Sequence, residues 1–363
     1  MSDILRSPFQ WFGSKRTVCS EIWARLGNPD VFIDPFFGSG TVLLNRPQEG
    51  NLEVVNDADS LLCNAFRAIT YAPEETAKHA TWPASECDIV SRHKWIMSEG
   101  RKRTERLKED PFAYDVQTAG FWLYALSAYV GGGFCDGKSH LNQEAKIPSM
   151  SSMGVHRGEL DGDVEKMTEY FKKLSWRLRN VKIACGDWSR LVTPAVTIQH
   201  GIVGALIDPP YLGLEHSIQY SGDLANAAAI EHVALKARKW AIEAGMNPQF
   251  RVAYCGYKGL EFPKDWEEFE WKAGGGYGNQ GEGRGRENAN RERIWFSPGC
   301  LKPGLTGLMG LMEPEAESGG ILPEEPRVEW PVLATSTRLR VDEPQIDEPA
   351  KPAVSAQRRG LFD

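Results

Sequence analysis

The tetrapeptide Asp208-Pro209-Pro210-Tyr211 combines residue types that can hold an amine. Pro209 and Pro210 fix φ and remove two backbone donors, which leaves the Pro209 carbonyl to accept a hydrogen bond outside any ladder. Asp208 sets a second acceptor beside it, and Tyr211 offers a flat ring for stacking. Two acceptors and an aromatic plate suit the exocyclic amine of a heterocycle, an adenine amine better than any carbonyl. The same four residues also make an ordinary turn in which Asp208 caps the next element. Their neighbours decide between the two readings.

Four further groups carry chemistry-bearing types. Phe9-Gln10-Trp11-Phe12-Gly13-Ser14-Lys15-Arg16 is an aromatic and glycine turn that can set Lys15 on an anionic ligand group. Its alternative is plainer, with Trp11 and Phe12 as core anchors and Lys15 in solvent. Asp34-Pro35-Phe36-Phe37-Gly38-Ser39-Gly40 follows the apolar run 31–33 and precedes the helix-like 41–45. Strand, glycine turn and helix is the dinucleotide-type geometry, in which Gly38 and Gly40 let backbone approach a ligand and the helix start favours an anion. The spacing is GxG, neither the GxGxxG of nicotinamide sites nor a Walker A loop. Asp57 closes the strand candidate 52–55 about twenty residues past the glycines, where doubly wound folds place an acid on a ribose. It also qualifies as the cap of a helix over 58–69. Asp187 and Trp188 stand after the strand candidate 181–184, an acid and an aromatic able to bond and cover a purine.

These groups need a sheet to bring them together. Strands are expected at 31–33, 52–55, 181–184, 204–207, 250–254 and 293–296, and helices at 17–26, 58–69, 164–179 and 231–244. Residues 71–179 interrupt the βα rhythm. Within them 91–110 reads as a charged helix and 121–130 as a buried one, while 131–156 reads as irregular, hairpin-rich loop. Met167, Tyr170, Phe171, Leu174 and Leu178 make an apolar stripe at helical spacing, which is core. Residues 274–293 are rich in Gly, Arg and Asn and read as a loop, and beyond Pro298 the chain turns to Pro, Glu, Gly and Ser, the composition of a disordered tail.

With 363 residues, 41% of them apolar and 25% charged, the chain can bury a large core. The absence of a long apolar run argues against a membrane span or a secretory signal and for the cytoplasm. Seven scattered cysteines without a CxxC pair speak against zinc and against a disulfide framework. The net charge of −7 divides into −4 for residues 301–363 and −3 for the rest, so contact with a nucleic acid has to come from local patches. The densest basic run holds His93, Lys94, Trp95, Arg101, Lys102, Arg103 and Arg106, with acids interleaved, and Lys138 follows in the loop region.

In content and in order the motifs Trp11-Phe12-Gly13-Ser14-Lys15, Asp34 to Gly40, Asn56-Asp57, Gly186-Asp187-Trp188 and Asp208 to Tyr211 resemble the Dam-type, α-arrangement family of DNA adenine-N6 methyltransferases. The resemblance spans about residues 8–298. It implies an α/β, Rossmann-like S-adenosylmethionine-dependent methyltransferase sheet in two parts, 1–70 and 181–298, with an inserted, mainly helical target-recognition domain over 71–180 and an acidic tail over 299–363. It implies S-adenosylmethionine contacts at Trp11, Gly13, Lys15, Asp34, Phe36, Phe37, Gly38, Ser39, Gly40, Asp57, Asp187, Trp188 and Asp208. Catalysis is then expected from Asp208, Pro209, Pro210 and Tyr211 on an adenine flipped out of double-stranded DNA, without a metal, with Lys94, Arg101, Arg103 and Lys138 toward the DNA. Here Ser14 replaces a glycine usual in that family and Trp188 a phenylalanine. Residues 125–148 match the family's DNA-entering hairpin only loosely. Methylation of RNA adenine or of a glutamine amide uses the same kind of turn, and a DNA-binding protein with a relict pocket is the non-enzymatic alternative. A monomer is the expected state, and neither a restriction partner nor a target sequence is legible.

Overall fold

Val31–Asp34 (β1) and Val203–Ile207 (β4) are buried at every position, as strands without polar alternation must be when both sheet faces are covered. In the computed structural model they pair in parallel at the centre of a seven-stranded sheet of order β3-β2-β1-β4-β5-β7-β6. The structure describes residues 5–9, 11, 14–48, 50, 52–82, 85–110, 113–128, 135, 155, 160, 162–211, 227–271 and 291–302, all within the compact unit Met1–Met312. The remaining strands are Leu52–Asp57 (β2), Val181–Cys185 (β3), Phe250–Tyr257 (β5), Glu267–Glu270 (β6) and Glu292–Phe296 (β7). Only β7, against β5, and β6, against β7, run antiparallel.

From β1 the chain steps outward to β2 on one side, and from β4 it steps outward to β5 on the other. The carboxyl ends of β1 and β4 therefore form the switch point of the sheet, where open α/β folds leave a crevice. Register fixes what lies there. Ile33 pairs with Ala205, so Asp34 and Asp208 both follow at the same edge.

Alternating strand residues feed two cores. Phe32, Val55, Leu206, Ala253, Ile294 and Phe296 face Cys19–Leu26 (α1), Thr41–Leu44 (α2) and the helices between β2 and β3. Val31, Ile33, Ala205, Ile207, Val252 and Trp295 face Ala227–Gly245 (α9), whose Ala237, Ala241 and Ala244 allow close approach. Between β2 and β3 lie Ser60–Tyr71 (α3), Pro73–Ala80 (α4), Glu86–Trp95 (α5), Arg101–Glu105 (α6), Val116–Ala128 (α7) and Val164–Leu178 (α8). A π-helical turn, Ile96–Gly100, joins α5 to α6. The α8 stripe Met167, Tyr170, Phe171, Leu174 and Leu178 is buried as its spacing requires. Arg177 at its end binds both oxygens of Glu53 at 2.6 and 2.8 Å and the Leu43 carbonyl at 2.9 Å, fastening α8 to β2 and α2.

Several expectations need correction. The cap of α3 is Asp59, which accepts from the Leu61 N–H at 2.9 Å, because the helix starts at Ser60 and leaves Asp57 in the strand. The loop expected over 274–293 does not extend to 293, since Glu292 and Arg293 are strand residues paired with Tyr257 and Gly256. The tail expected beyond Pro298 does not take in residues 299–302. Cys300 is buried and the Leu301 N–H donates to the Arg25 carbonyl at 2.8 Å. Strand β6 and helix α4 were not expected at all. Residues 272–290, 303–363 and most of 125–148 lie outside the described residues. Among the described residues no helix is long and apolar enough to cross a membrane.

Candidate active site

The glycine turn after β1 is held from three directions. Asp34, almost fully buried, accepts from the Phe36 N–H at 3.3 Å, and Phe37 donates its N–H to the Asn56 carbonyl at 2.9 Å. Asp57 Oδ2 accepts from the Gly38 N–H at 3.0 Å. Gly38 and Gly40 take left-handed φ of 50° and 67°, a region a side chain enters only at a cost. A Cβ on Gly38 would stand 2.7 Å from the Trp11 ring, and one on Gly40 would stand 2.6 Å from the Phe37 ring. Trp11 therefore lies directly on the glycine turn, and the first two motifs share one place.

Lys15 joins the third. It is 3% exposed, and its Nζ donates to Asp208 Oδ2 at 2.6 Å. The Tyr211 hydroxyl donates to the other oxygen, Oδ1, at 3.0 Å. The side chain of Asp208 keeps 21% exposure, so the carboxylate at the tip of β4 is reachable while its lysine is not. Pro209 and Pro210 are buried, which holds the turn rigid. The Tyr211 ring meets Tyr257 edge-on at 4.6 Å and lies under the Lys15 ammonium at 5.4 Å.

Burial and crowded charge shape the titration of this group. Burial alone depresses a lysine, but Asp208 reverses the effect and Lys15 stays charged above its ordinary range. Burial and then the Asp208 charge push Asp34 well above the usual carboxylate range. Burial raises Asp57 to about 6, against the hydrogen bonds from Asp59 and Gly38 that favour its ionised form. The Tyr211 phenol is raised by burial and by Asp208, so it remains a donor.

The second wall is built by β3. Asn56, fully buried, donates to the Pro35 carbonyl at 3.1 Å and to the Gly186 carbonyl at 3.0 Å, tying the turns after β1 and β3 together. Asp187 accepts from the Ser189 N–H at 2.8 Å and from its hydroxyl, and these bonds hold its carboxyl below the usual range. Trp188 is buried against Phe36 at 5.6 Å. Ser39 shares a 2.8 Å bond with Thr41 at the start of α2. Phe37 packs on Phe66 at 4.9 Å, so its ring serves the core while it also lies against Gly40 of the turn.

The structure thus collects Trp11, Lys15, Asp34, the glycine turn, Asp57, Asp208 and Tyr211 at one edge of the sheet, with Asp187 and Trp188 beside them. Gly13 and Lys138 lie outside the described residues. The basic run behaves differently. His93 is buried and accepts from the Cys135 N–H, Arg101 donates to the Cys135 carbonyl, and Arg103 pairs with Asp115 at 3.2 Å. Lys94 is exposed on α5. Two site residues escaped the sequence reading. Tyr257 was hidden at the end of a longer β5, and Glu292 in a stretch whose glycines and arginines mask the start of β7.

A mostly parallel sheet of this order, with acid-bearing turns at its carboxyl edge, is a Rossmann-like methyltransferase fold. Residues 11–146 match the family model of the D12 class N6 adenine-specific DNA methyltransferases. The match is to the class of DNA adenine-N6 methyltransferases that the motif resemblance implied. The match takes in Trp11 to Asp57 and ends before Asp187 and Asp208, for which the geometry above is the support. No curated protein sequence matches the chain.

Proposed function

We propose that the protein transfers a methyl group from S-adenosylmethionine to N6 of an adenine extruded from duplex DNA, with Asp208 to Tyr211 as the amine grip. The carrying observation is the 2.6 Å bond from Lys15 to Asp208, which joins the turn beside the glycine bend to the tetrapeptide across the switch point. The residues fit the cofactor. The Gly38 and Gly40 bend leaves no room for side chains and brings backbone forward, Asp57 and Asp187 offer carboxylates on the β2 and β3 side, and Trp11 covers the turn. Bound S-adenosylmethionine supplies an electrophilic methyl on a sulfonium.

What the chain itself does follows from adenine chemistry. The N6 lone pair is spread into the ring, and two acceptors drawing on the amine protons, Asp208 and the Pro209 carbonyl, return it to nitrogen. The N–C bond forms as the S–C bond breaks, and the extra N6 proton leaves to water. Positioning accounts for most of the acceleration, for which about 7 to 11 kcal/mol is available in favourable cases. Extrusion costs a few kcal/mol, and stacking on Tyr211 offsets roughly 1 to 3 kcal/mol of it. The test is methyl-tritiated S-adenosylmethionine offered with duplex DNA, RNA and protein. Label recovered as N6-methyladenine in DNA, and none from Asp208→Ala folded to the native circular dichroism spectrum, is the expected result. Label confined to RNA or protein, or undiminished in the variant, refutes it.

A further inference from the structure

Glu292 opens β7 opposite Tyr257 of β5, and its side chain is 10% exposed. Its Oε2 is buried and meets no hydrogen-bond donor among the described residues. A buried carboxylate oxygen without a donor is costly and calls for an explanation. The nearby cation is Lys15, whose Nζ stands 3.9 Å away while it bonds Asp208 at 2.6 Å. One ammonium thus sits between two carboxylates, closed on one and short of the other.

In this arrangement both Asp208 oxygens already accept, Oδ2 from Lys15 and Oδ1 from Tyr211. An ammonium at that distance withdraws the electron density that the target amine needs from Asp208. Lys15 is too buried to be left without a counter-ion once Asp208 turns to the base. A shift of about 1 Å along its flexible stem brings it to ordinary charge-assisted distance from Glu292. Resting on the methyl-transfer reading above, we propose that Glu292 is a positioning residue, the alternate counter-ion that takes Lys15 from Asp208 when the target adenine enters.

The groups around Glu292 agree with that role. Lys15 faces it from the N-terminal turn, Asp208 and Tyr211 from the end of β4, and Cys255 and Tyr257 from β5, with Arg291 and Arg293 flanking it in sequence. Burial and the Asp208 charge, opposed by Lys15 and by the Tyr211 hydroxyl, raise its carboxyl above the ordinary range. Closing Lys15 onto it lowers that value again, so base entry and Glu292 ionisation are linked.

The test compares Glu292→Gln, which keeps the volume and removes the charge, with Glu292→Asp, which keeps the charge. Glu292→Gln is expected to slow single-turnover methyl transfer by roughly tenfold or more, the scale of one altered ionic contact. Cofactor affinity and melting temperature are expected to stay native, and the acid limb of the rate profile to shift, with Glu292→Asp restoring part of both. In protein labelled with carbon-13 at glutamate carboxyls, the resonance absent from Glu292→Gln is expected to titrate lower when adenine-containing duplex and a non-reactive cofactor analogue are bound. A Glu292→Gln enzyme with native rate and pH profile, or a Glu292 titration indifferent to DNA, overturns the proposal. So does a loss of rate, stability and cofactor affinity together in both variants, which marks a purely structural residue. Native protein that labels no DNA overturns the methyl-transfer reading itself, whereas active native protein beside a native-like Glu292→Gln removes the counter-ion role alone.

Discussion

Asp57 carries two demands that pull apart. Its oxygens accept from the Gly38 and Asp59 N–H groups and favour the carboxylate, while burial raises its pKa to about 6. If it also accepts from a nucleoside hydroxyl, the ionised form is the better acceptor, and protonation weakens the bond. The sign follows. Cofactor affinity measured by calorimetry is expected to be full near pH 7.5 and to fall as pH drops through 6, approaching roughly a tenfold loss per unit once the carboxyl is mostly protonated. Asp57→Asn is expected to bind more weakly at pH 7.5 and to show no step near pH 6. A step of unchanged size in that variant assigns the titration to another acid and removes Asp57 from the cofactor contacts. Asp34, raised further by burial and by Asp208, is the natural other candidate.

The elements that place these acids were legible to very different degrees, and the reasons are physical. Strands β1 and β4 announce themselves because burial on both faces leaves no polar position to blur the run. The glycine bend is legible because Gly38 and Gly40 occupy backbone states that other residues avoid. Strand β6 is not, since Glu267, Glu268 and Glu270 look solvated until Arg25 and Arg293 pair with them across the sheet edge. Helix α4 has its start signals, Pro73 with Glu74 and Glu75, but buries only the small Thr76, Ala77 and Ala80, so no apolar stripe marks it. Glu292 was invisible because its meaning comes from Lys15 and Asp208, both remote in sequence. The bend also yields a prediction at this scale. Gly38→Ala forces a side chain into the left-handed region and against Trp11, at a cost of about 1 to 2 kcal/mol for the backbone alone. A melting temperature lowered by several degrees, with cofactor affinity reduced more than in a Gly162→Ala control, where a Cβ meets nothing within 4 Å, is the expected outcome. Equal behaviour of the two variants contradicts the close approach of Trp11 to the turn.

To act on DNA as proposed, a chain with a net charge of −7 has to meet a polyanion against its own average field. Some of its cations are committed inward or to neighbouring acids. Arg25, Arg46, Arg92 and Arg293 are buried, and Arg103 and Lys102 are matched by Asp115 and Glu99. Attraction to phosphates therefore rests on exposed charges such as Arg16, Lys94, Lys236 and Lys258, while residues 303–363 carry a net −5 that opposes a polyanion. Both effects are electrostatic and fade beyond a screening length of about 10 Å at 0.1 M salt. A chain ending at Lys302 keeps the contacts of Ser297, Cys300 and Leu301 with β5 and α1, so its fold and its methyl transfer at saturating DNA are expected to equal those of the full chain. Its affinity for non-target duplex, read by fluorescence anisotropy, is expected to exceed the full chain's by roughly threefold at 50 mM salt and to converge with it by 200 mM. The ordering matters because screening removes a like-charge penalty but leaves a specific contact largely intact. A difference that persists at 200 mM salt would show the segment touching the DNA site directly. Equal affinity at 50 mM salt would show that its charge is neutralised elsewhere, leaving the acidic balance of the chain without influence on its substrate.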